Sequence, residues 1–523
     1  MPWESFCMMR SPLPDVDIPD VPITEFVLRY ADLTPDRIAI CDGLDGTSYT
    51  YAALRDRIHR LAGALAAEGV GPGAVVALMA SNCPDYAVVF HAVAVAGATL
   101  TTVNPTYTPE EVRFQLIDSR ATWAICVDAA LPVLQEAISG TDVEQVVTMG
   151  EGIGSARSLA SLDAEPIAQV PIDVATHVVV LPYSSGTTGL PKGVMLSHRN
   201  LVANLLQTQG VLAFEDDESA IAFMPFFHIY GMQVLMNALL AYCVEVVTLP
   251  RFDLVKVLDL IQTQRITRLF VVPPIVLALA KHPIVDNYDL SSLRHIMSGA
   301  APMGAEITQE AESRVGCPIG QGYGMTELSP VSHVAEVGDV CYGSSGRLAP
   351  NTECRIVDVE TGVDCPAGEP GEMWVRGPQV MLGYLNNAEA TADMITPDGW
   401  LRTGDISIVD EAGYMTVVDR LKELIKVKGF QVAPAELEAL LLAHQSIADA
   451  AVIGVPDEES GEIPKAFVVL REPGAMSSQD VESYISGRVT AYKRVRQVEF
   501  VESIPKSASG KILRRLLRTS GIG

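Results

Sequence analysis

The stretch Tyr183 to Gly193, YSSGTTGLPKG, puts two serines, two threonines, three glycines and Lys192 directly behind the apolar run HVVVLP. Free backbone N–H groups and small hydroxyls in such a loop wrap anionic oxygens, and the lysine adds a point charge. The chemistry this pattern suits is the holding of a polyphosphate. Taken alone, the same loop also reads as a linker with an incidental lysine. It is not a Walker A loop, which needs G-x-x-x-x-G-K-[ST], because Pro191 precedes Lys192 and Gly193 follows it. P-loop kinase and GTPase mechanisms are therefore disfavoured. The segment predicts a strand, the loop, then a helix capped by Ser197. Nine cysteines (Cys7, Cys41, Cys83, Cys126, Cys243, Cys317, Cys341, Cys354, Cys365) are scattered with no C-x-x-C or other metal-like spacing, and read as reduced structural thiols.

Four more segments follow in order: GQGYGMTE (320 to 327), WLRTGD (400 to 405), VDRLKELIKVKGFQVAPAELE (418 to 438) and PKSASGKILRR (505 to 515). With the loop, they make the chain resemble the adenylate-forming enzymes: acyl- and aryl-CoA synthetases, peptide-synthetase adenylation domains and beetle luciferases. The resemblance runs from about residue 22 to 518 and is nearest to bacterial 4-coumarate:CoA ligase-like enzymes, through FHIYG, PPIVLALAKHP and YDLSSLRHIMSGAAP. It implies an acid–thiol ligase that uses ATP, Mg²⁺ and CoA. A small-molecule carboxylic acid is first activated as acyl-AMP with loss of pyrophosphate, then passed to the CoA thiol.

The resemblance also implies roles. Ser184, Ser185, Gly186, Thr187, Thr188 and Lys192 would hold the β- and γ-phosphates. Gly299, Ala300, Gln321, Gly322 and Tyr323 would line the nucleotide site, with the Tyr323 ring against adenine. Thr326 would offer a hydroxyl to phosphate and Glu327 a hard oxygen to Mg²⁺. Asp405 and Arg420 would take the ribose, and Lys511 would bridge the substrate carboxylate and the α-phosphate. For the second step, the C-terminal part would turn about Lys422. That turn would bring Lys426 and Gln431 to the adenylate and Lys428 and Gly429 to CoA, with Arg251 meeting a CoA phosphate. His228 would gate an acyl pocket also bounded by Tyr230, Gln233 and Met297.

That pocket departs from the plant pattern. Gln233 stands where plant enzymes commonly carry Asn, Met297 replaces a lysine, and LSPVSH (328 to 333) follows Glu327 in place of an Ala-Gly-Pro run. A flexible, apolar Met297 suits an alkyl chain as well as an aryl ring, so a hydroxycinnamate-like acid and a medium-chain fatty acid both fit. Rival functions are an acyl-AMP ligase serving a carrier protein, a peptide-synthetase adenylation domain, an oxidative luciferase-like enzyme and a non-catalytic binding protein. The CoA-type hairpin and Arg251 count against the first. The absence of a pocket Asp for an amino group counts against the second, and joint retention of Lys192, Glu327, Asp405, Arg420 and Lys511 counts against the last.

The elements that must position these residues follow from the pattern of apolar runs. AVVALMA, TWAICV and HVVVLPYSS alternate with segments of helical spacing, which predicts α/β layers with largely parallel sheets. Thr108 ahead of Pro109 predicts a capped helix start. From about residue 341, short β-like pieces (ECRIVD, GEMWVRG, GYMTVVD) predict a β-rich subdomain. A helix from Pro434 is expected to present Leu437, Leu440, Leu441 and His444 on one face. The predicted organisation is a mobile N-terminal arm (1–21), a large α/β adenylation domain (22–420) and a small, mobile α+β C-terminal domain (421–523). Charge supports the last division: residues 421–523 hold 14 Lys and Arg against 13 Asp and Glu, within a chain of formal net charge −27. That acidity disfavours nucleic acid as a partner. No run reaches the length of a membrane span, and the first residues lack a secretory pattern, so a cytoplasmic protein is expected. No oligomeric state follows from the sequence.

Overall fold

The computed structural model describes residues 8–154, 156–184, 191–428, 430–457, 460–507 and 510–520. These form four sheets in two unequal bodies. An eight-stranded sheet has Thr99–Val103, Val75–Met79 and Trp123–Cys126 at its parallel centre, and ends with Val178–Ser184, Lys192–Ser197 and Gly383–Tyr384. A nine-stranded sheet runs through Glu245–Thr248, Ser219–Ala222, Arg268–Val271, His295–Ser298 and Ile319–Gly324, all parallel, before Val331–Val334 turns back antiparallel. Strands buried on both faces read as unbroken apolar runs, which is why AVVALMA and TWAICV signalled them.

Between the layers lies the helix Pro84–Val95, in which every residue but Asp85 is buried. A helix apolar all round belongs inside a core rather than on a surface. No described helix is long and apolar enough to cross a membrane. Helix starts follow local chemistry. Thr108 and Glu111 form a reciprocal capping box with Pro109 in the first turn, and Ser197 caps His198–Leu212 with Asn200 completing its box.

The β-rich part is a five-stranded sheet of Glu353–Val357, Gly371–Arg376, Leu401–Val409 and Met415–Arg420, with Met9–Arg10 added at its edge. The described part of the expected N-terminal arm is thus tied down. Met9 pairs with Cys354, the Ser11 hydroxyl donates to the Leu348 carbonyl, and the Val16 N–H donates to Asn351. The small body has its own sheet, including Ile425–Val427, Phe430–Val432, Ile447–Asp457 and Gly461–Leu470. Its own core is built on Ile425, Val432, Leu437, Leu441, Val452, Ala466 and Ile485.

Two local expectations change. The residues after the phosphate-type loop do not pass straight into a helix: Lys192–Ser197 is a strand, antiparallel to Val178–Ser184, and the helix starts only at His198. The six-residue run KGVMLS is too short for periodicity to separate strand from loop, and pairing with its neighbour decides. The helix Pro434–Leu442 ends before His444, and its buried face is Leu437, Glu438 and Leu441. Leu440 packs half-buried against the same core as expected, and Glu438 is buried as well because Arg514 meets it with two hydrogen bonds at 2.7 and 2.8 Å.

Candidate active site

In open α/β sheets ligands gather beyond the carboxyl ends of the strands. There, beyond Arg268–Val271, His295–Ser298 and Ile319–Gly324, the predicted residues converge. Ser184 and Lys192 face each other across the mouth of the hairpin formed by Val178–Ser184 and Lys192–Ser197. The connecting residues Ser185, Gly186, Thr187 and Thr188 lie outside the described residues. The Ser184 hydroxyl donates to Glu327 Oε1 at 3.0 Å, and the Tyr384 hydroxyl donates to the same oxygen at 2.8 Å. Lys192 Nζ sits 4.9 Å from the centroid of the Tyr384 ring, within cation–π range. Thr326 and Glu327 lie in a short 3₁₀ turn that follows the strand Ile319–Gly324. That strand must bend sharply, and a Cβ on Gly324 would stand 2.2 Å from the Pro330 carbonyl oxygen, so only glycine fits there.

Beside this lies a second polar group. Asp405 and Arg420 are cross-strand partners in the β-rich sheet, with Arg420 Nε 3.3 Å from Asp405 Oδ1. The Tyr323 hydroxyl donates to Asp405 Oδ2 at 2.6 Å. Burial, reinforced by the Asp405 charge, pushes the Tyr323 phenol well up, so it stays a donor. Gly322 lies in the same strand as Tyr323. Gln321 plays a different part from the one expected of its side chain: the amide is buried and clamps Met303 through both its N–H and its carbonyl, fixing the turn that contains Gly299 and Ala300.

His228 and Tyr230 line the adjoining wall. Together with Tyr323, each keeps some accessible surface although protein encloses it, as cleft residues do. The Tyr230 hydroxyl reaches the carbonyls of Val271 and Met297 at 3.2 and 3.4 Å, and its ring covers Gly299. Burial, then the nearby Lys511 charge, pull the His228 imidazole down to about 4, so it is neutral at physiological pH. Tyr230 opens a π-helical stretch, Tyr230–Ala238, entered through a turn so tight that a Cβ on Gly231 would lie 2.1 Å from the Pro225 carbonyl. Met297 is buried, its methyl beside Gly320. Gln233 is not a free pocket group. Its amide donates to the Leu201 carbonyl at 2.7 Å and accepts from Asn237 at 3.0 Å, because the π-helix turns it toward the helix His198–Leu212.

Lys511 reaches this cleft from the small body. A Cβ built on neighbouring Gly510 would lie 3.2 Å from Val272 of the large body, so the loop is docked on the strand end. Burial, then the Arg420 guanidinium, pull the Lys511 ammonium down to about 8, while Glu423 and Asp405 oppose them. Behind it, Arg514 is bound by Glu423 at 2.6 Å and by Glu438. Other predicted residues are not in the cleft. Lys422, Lys426, Lys428 and Arg251 are exposed, with Lys426 opposite Gln431 in the hairpin Ile425–Val432 and Lys428 at a positive φ of 50°. Gly429 and the Gln431 side chain lie outside the described residues.

Sequence reasoning passed over Tyr384, and also over Tyr183, next to the mouth of the hairpin, whose hydroxyl donates to Asp118 at 2.7 Å. The Gly-Tyr pair ahead of Asn386-Asn387 was the only local sign of the first. A separate polar cavity of about 720 Å³, lined by Arg37, Glu245, Arg265 and Arg294 among others, opens at the opposite, amino ends of the strands. Its arginines Arg294 and Arg265 are already matched by Asp217 and Asp289, so it makes a poor anion site.

The fold is that of a two-domain α/β protein, a large body of layered sheets joined to a small α+β one, with a cleft where they meet. The family model described as AMP-binding enzyme matches residues 27–385, and that of the AMP-binding enzyme C-terminal domain matches residues 436–511. The chain belongs to the AMP-binding enzyme family. Among curated relatives, 4-coumarate–CoA ligase 5 of Oryza sativa subsp. japonica is 42% identical, with 98% of this chain and 97% of that protein covered. Among solved structures, anthranilate CoA ligase AuaEII in complex with anthranoyl-AMP matches with a TM-score of 0.89 at 27% identity, covering 97% of this chain and 98% of that one. ATP-bound MatB from Rhodopseudomonas palustris gives 0.88 at 29% identity over 95% of this chain and 98% of that one. Its apo form gives 0.77 at 30% identity over the same shares.

Proposed function

We propose that this chain is an ATP-dependent carboxylate:CoA ligase that makes an acyl-AMP and then an acyl-CoA thioester, with a hydroxycinnamate-like aryl acid as substrate. The observation that carries the reading is the convergence on one cleft of Lys192, Glu327, Asp405, Arg420 and Lys511, drawn from five separate segments of the chain. In the first step the substrate carboxylate attacks the α-phosphorus and pyrophosphate leaves. Lys511 steadies the negative charge that gathers between carboxylate and α-phosphate. Lys192, Ser184 and the loop after it hold the β- and γ-phosphates, with the Thr326 hydroxyl at phosphate. Asp405 and Arg420 hold the ribose, and Tyr323 gives adenine a flat wall near Gly322, Gly299 and Ala300. The neutral His228 and the apolar wall of Tyr230 and Met297 keep the acyl side dry.

The residues present fit a magnesium ion. Among the described residues no cluster of three metal-binding side chains exists, but Mg²⁺ with a nucleotide uses one or two carboxylates plus phosphate oxygens and water. Glu327 is the residue that would hold it, and the bound ion would neutralise phosphate charge.

For the second step the small body turns about Lys422, which carries Lys511 out and brings Lys426, Lys428, Gly429 and Gln431 in, with Arg251 at a CoA phosphate. Support comes from the exposure of this hairpin while Lys511 is docked, and from the better match to ATP-bound than to apo MatB. A medium-chain fatty acid is the second reading of the substrate, favoured by buried, pliable Met297. Mass spectrometry of products formed from ATP, Mg²⁺ and a pooled panel of aryl and alkyl acids, with and without CoA, decides. A thioester of an aryl acid formed only with CoA is expected. Acyl-AMP accumulating regardless of CoA would make the chain an acyl-AMP ligase instead.

A further inference from the structure

Glu327, the carboxylate assigned above to the magnesium ion, does not hold its own orientation by chain geometry alone. Two hydroxyls, from Ser184 and Tyr384, converge on a single oxygen, Oε1, at 3.0 and 2.8 Å. The described residues make no hydrogen bond to the other oxygen, Oε2. Tyr384 is itself tightly fixed. It is buried, it pairs with Val194 across the hairpin strand Lys192–Ser197, its N–H donates to Thr391, and the next residue's N–H donates to the Gly193 carbonyl. Three residues earlier, the Met381 N–H donates to the Glu327 carbonyl. The face of the Tyr384 ring carries the Lys192 ammonium at 4.9 Å. One side chain therefore touches both the carboxylate and the phosphate-loop lysine.

We infer that Tyr384 is a positioning residue for the metal–nucleotide complex: its hydroxyl turns Glu327 so that one oxygen is committed to the protein and the other is left for a divalent cation, while its ring holds Lys192 for the phosphates. The inference rests on the ligase reading. It predicts that the two functions of the side chain separate. Tyr384→Phe keeps the ring under Lys192 and removes only the hydroxyl, so it loosens magnesium-dependent binding. Tyr384→Leu removes both and loosens nucleotide binding with and without the metal.

The test is calorimetric titration of the full-length protein with ATP, in excess Mg²⁺ and in EDTA, with thermal unfolding to confirm that each variant is folded. Tyr384→Phe is expected to weaken ATP binding roughly 10- to 100-fold in Mg²⁺, the range for removing a hydrogen bond to a buried charge, and to leave metal-free binding within twofold. Tyr384→Leu is expected to weaken both. Equal weakening of both titrations by Tyr384→Phe, or none, would overturn the assignment. If Tyr384→Phe does not fold, Tyr384→Leu stands in for it, and ATP binding that it leaves unchanged in Mg²⁺ or in EDTA would likewise overturn the assignment. Binding is read without any acid substrate. A wild-type protein that binds MgATP but adenylates no acid would therefore strike the ligase reading and leave this one to be judged on its own titrations.

Discussion

Lys511 carries the sharpest consequence at the scale of single residues. To bridge a carboxylate and a phosphate it must be an ammonium, yet burial and Arg420 pull it down to about 8. A lowered lysine loses its charge as pH rises through that value, so kcat/KM for ATP–pyrophosphate exchange should fall above pH 8. Lys511→Arg keeps a cation at every accessible pH and should push the falling limb upward, even at a lower rate. Lys511→Ala should cut exchange on the order of 100- to 1,000-fold, the cost of losing a preorganised charge at a developing anion. An exchange profile flat to pH 9.5 in the wild-type protein would remove the Lys511 ammonium from the transition state. Asp405 makes a second case. Its oxygens answer Tyr323 and Arg420, so Asp405→Ala strands two half-buried partners in the cleft and should raise the KM for ATP roughly 10- to 100-fold. A KM within twofold of wild type would place the ribose elsewhere.

Among elements, the junction between the bodies matters most. The strand Met415–Arg420 ends at the turn of Leu421 to Glu423, and Lys422 is exposed there with the hairpin Ile425–Val432 just beyond. A rotation must change backbone dihedrals at this turn. Lys422→Pro fixes φ and should leave pyrophosphate exchange within a few-fold while slowing CoA-dependent thioester formation about tenfold or more; equal slowing of both would locate the hinge at another residue. The sequence made much of this architecture legible. Buried strands announce themselves as apolar runs, capped helices by Thr108 and Ser197, and the β-rich part by its short punctuated segments. What stayed hidden depends on contacts between distant residues. The strand character of Lys192–Ser197 comes from pairing with Val178–Ser184. Tyr384 finds Glu327 fifty-seven positions away, and Arg514 finds Glu423 ninety-one away. Gln233 and Gln321 were read as facing ligands because a sequence gives residue type but not the side to which a π-helix or a turn directs it.

For the whole molecule, the decisive feature is a set of histidines folded away uncharged. His91, His198 and His333 are buried in the large body, and burial pulls each down to about 3; for His198 the neighbouring histidines His177 and His91 add to it. In the unfolded chain the same groups titrate near 6.5. Between these values the unfolded chain binds protons that the folded one refuses, so stability is full above pH 6.5 and is lost as pH falls toward 3. At pH 5 each such histidine costs about 2 kcal/mol, so the three together remove up to about 6 kcal/mol, a large share of a typical folding free energy. The formal charge of −27 acts the other way, since protonating surface carboxylates lessens self-repulsion. Salt separates the two, because it screens repulsion between exposed charges but barely touches groups sealed in a core. Thermal unfolding at pH 7.5, 6.0 and 5.0 in 0.5 M NaCl should show Tm falling by several degrees across the series. The large body should lead the loss, because the small body buries no comparable histidine among its described residues: its one histidine, His444, is partly exposed against Tyr484. A Tm unchanged from pH 7.5 to 5.0 at that salt would mean that the native core takes up those protons without cost, and the three imidazoles would then have to be reached by water.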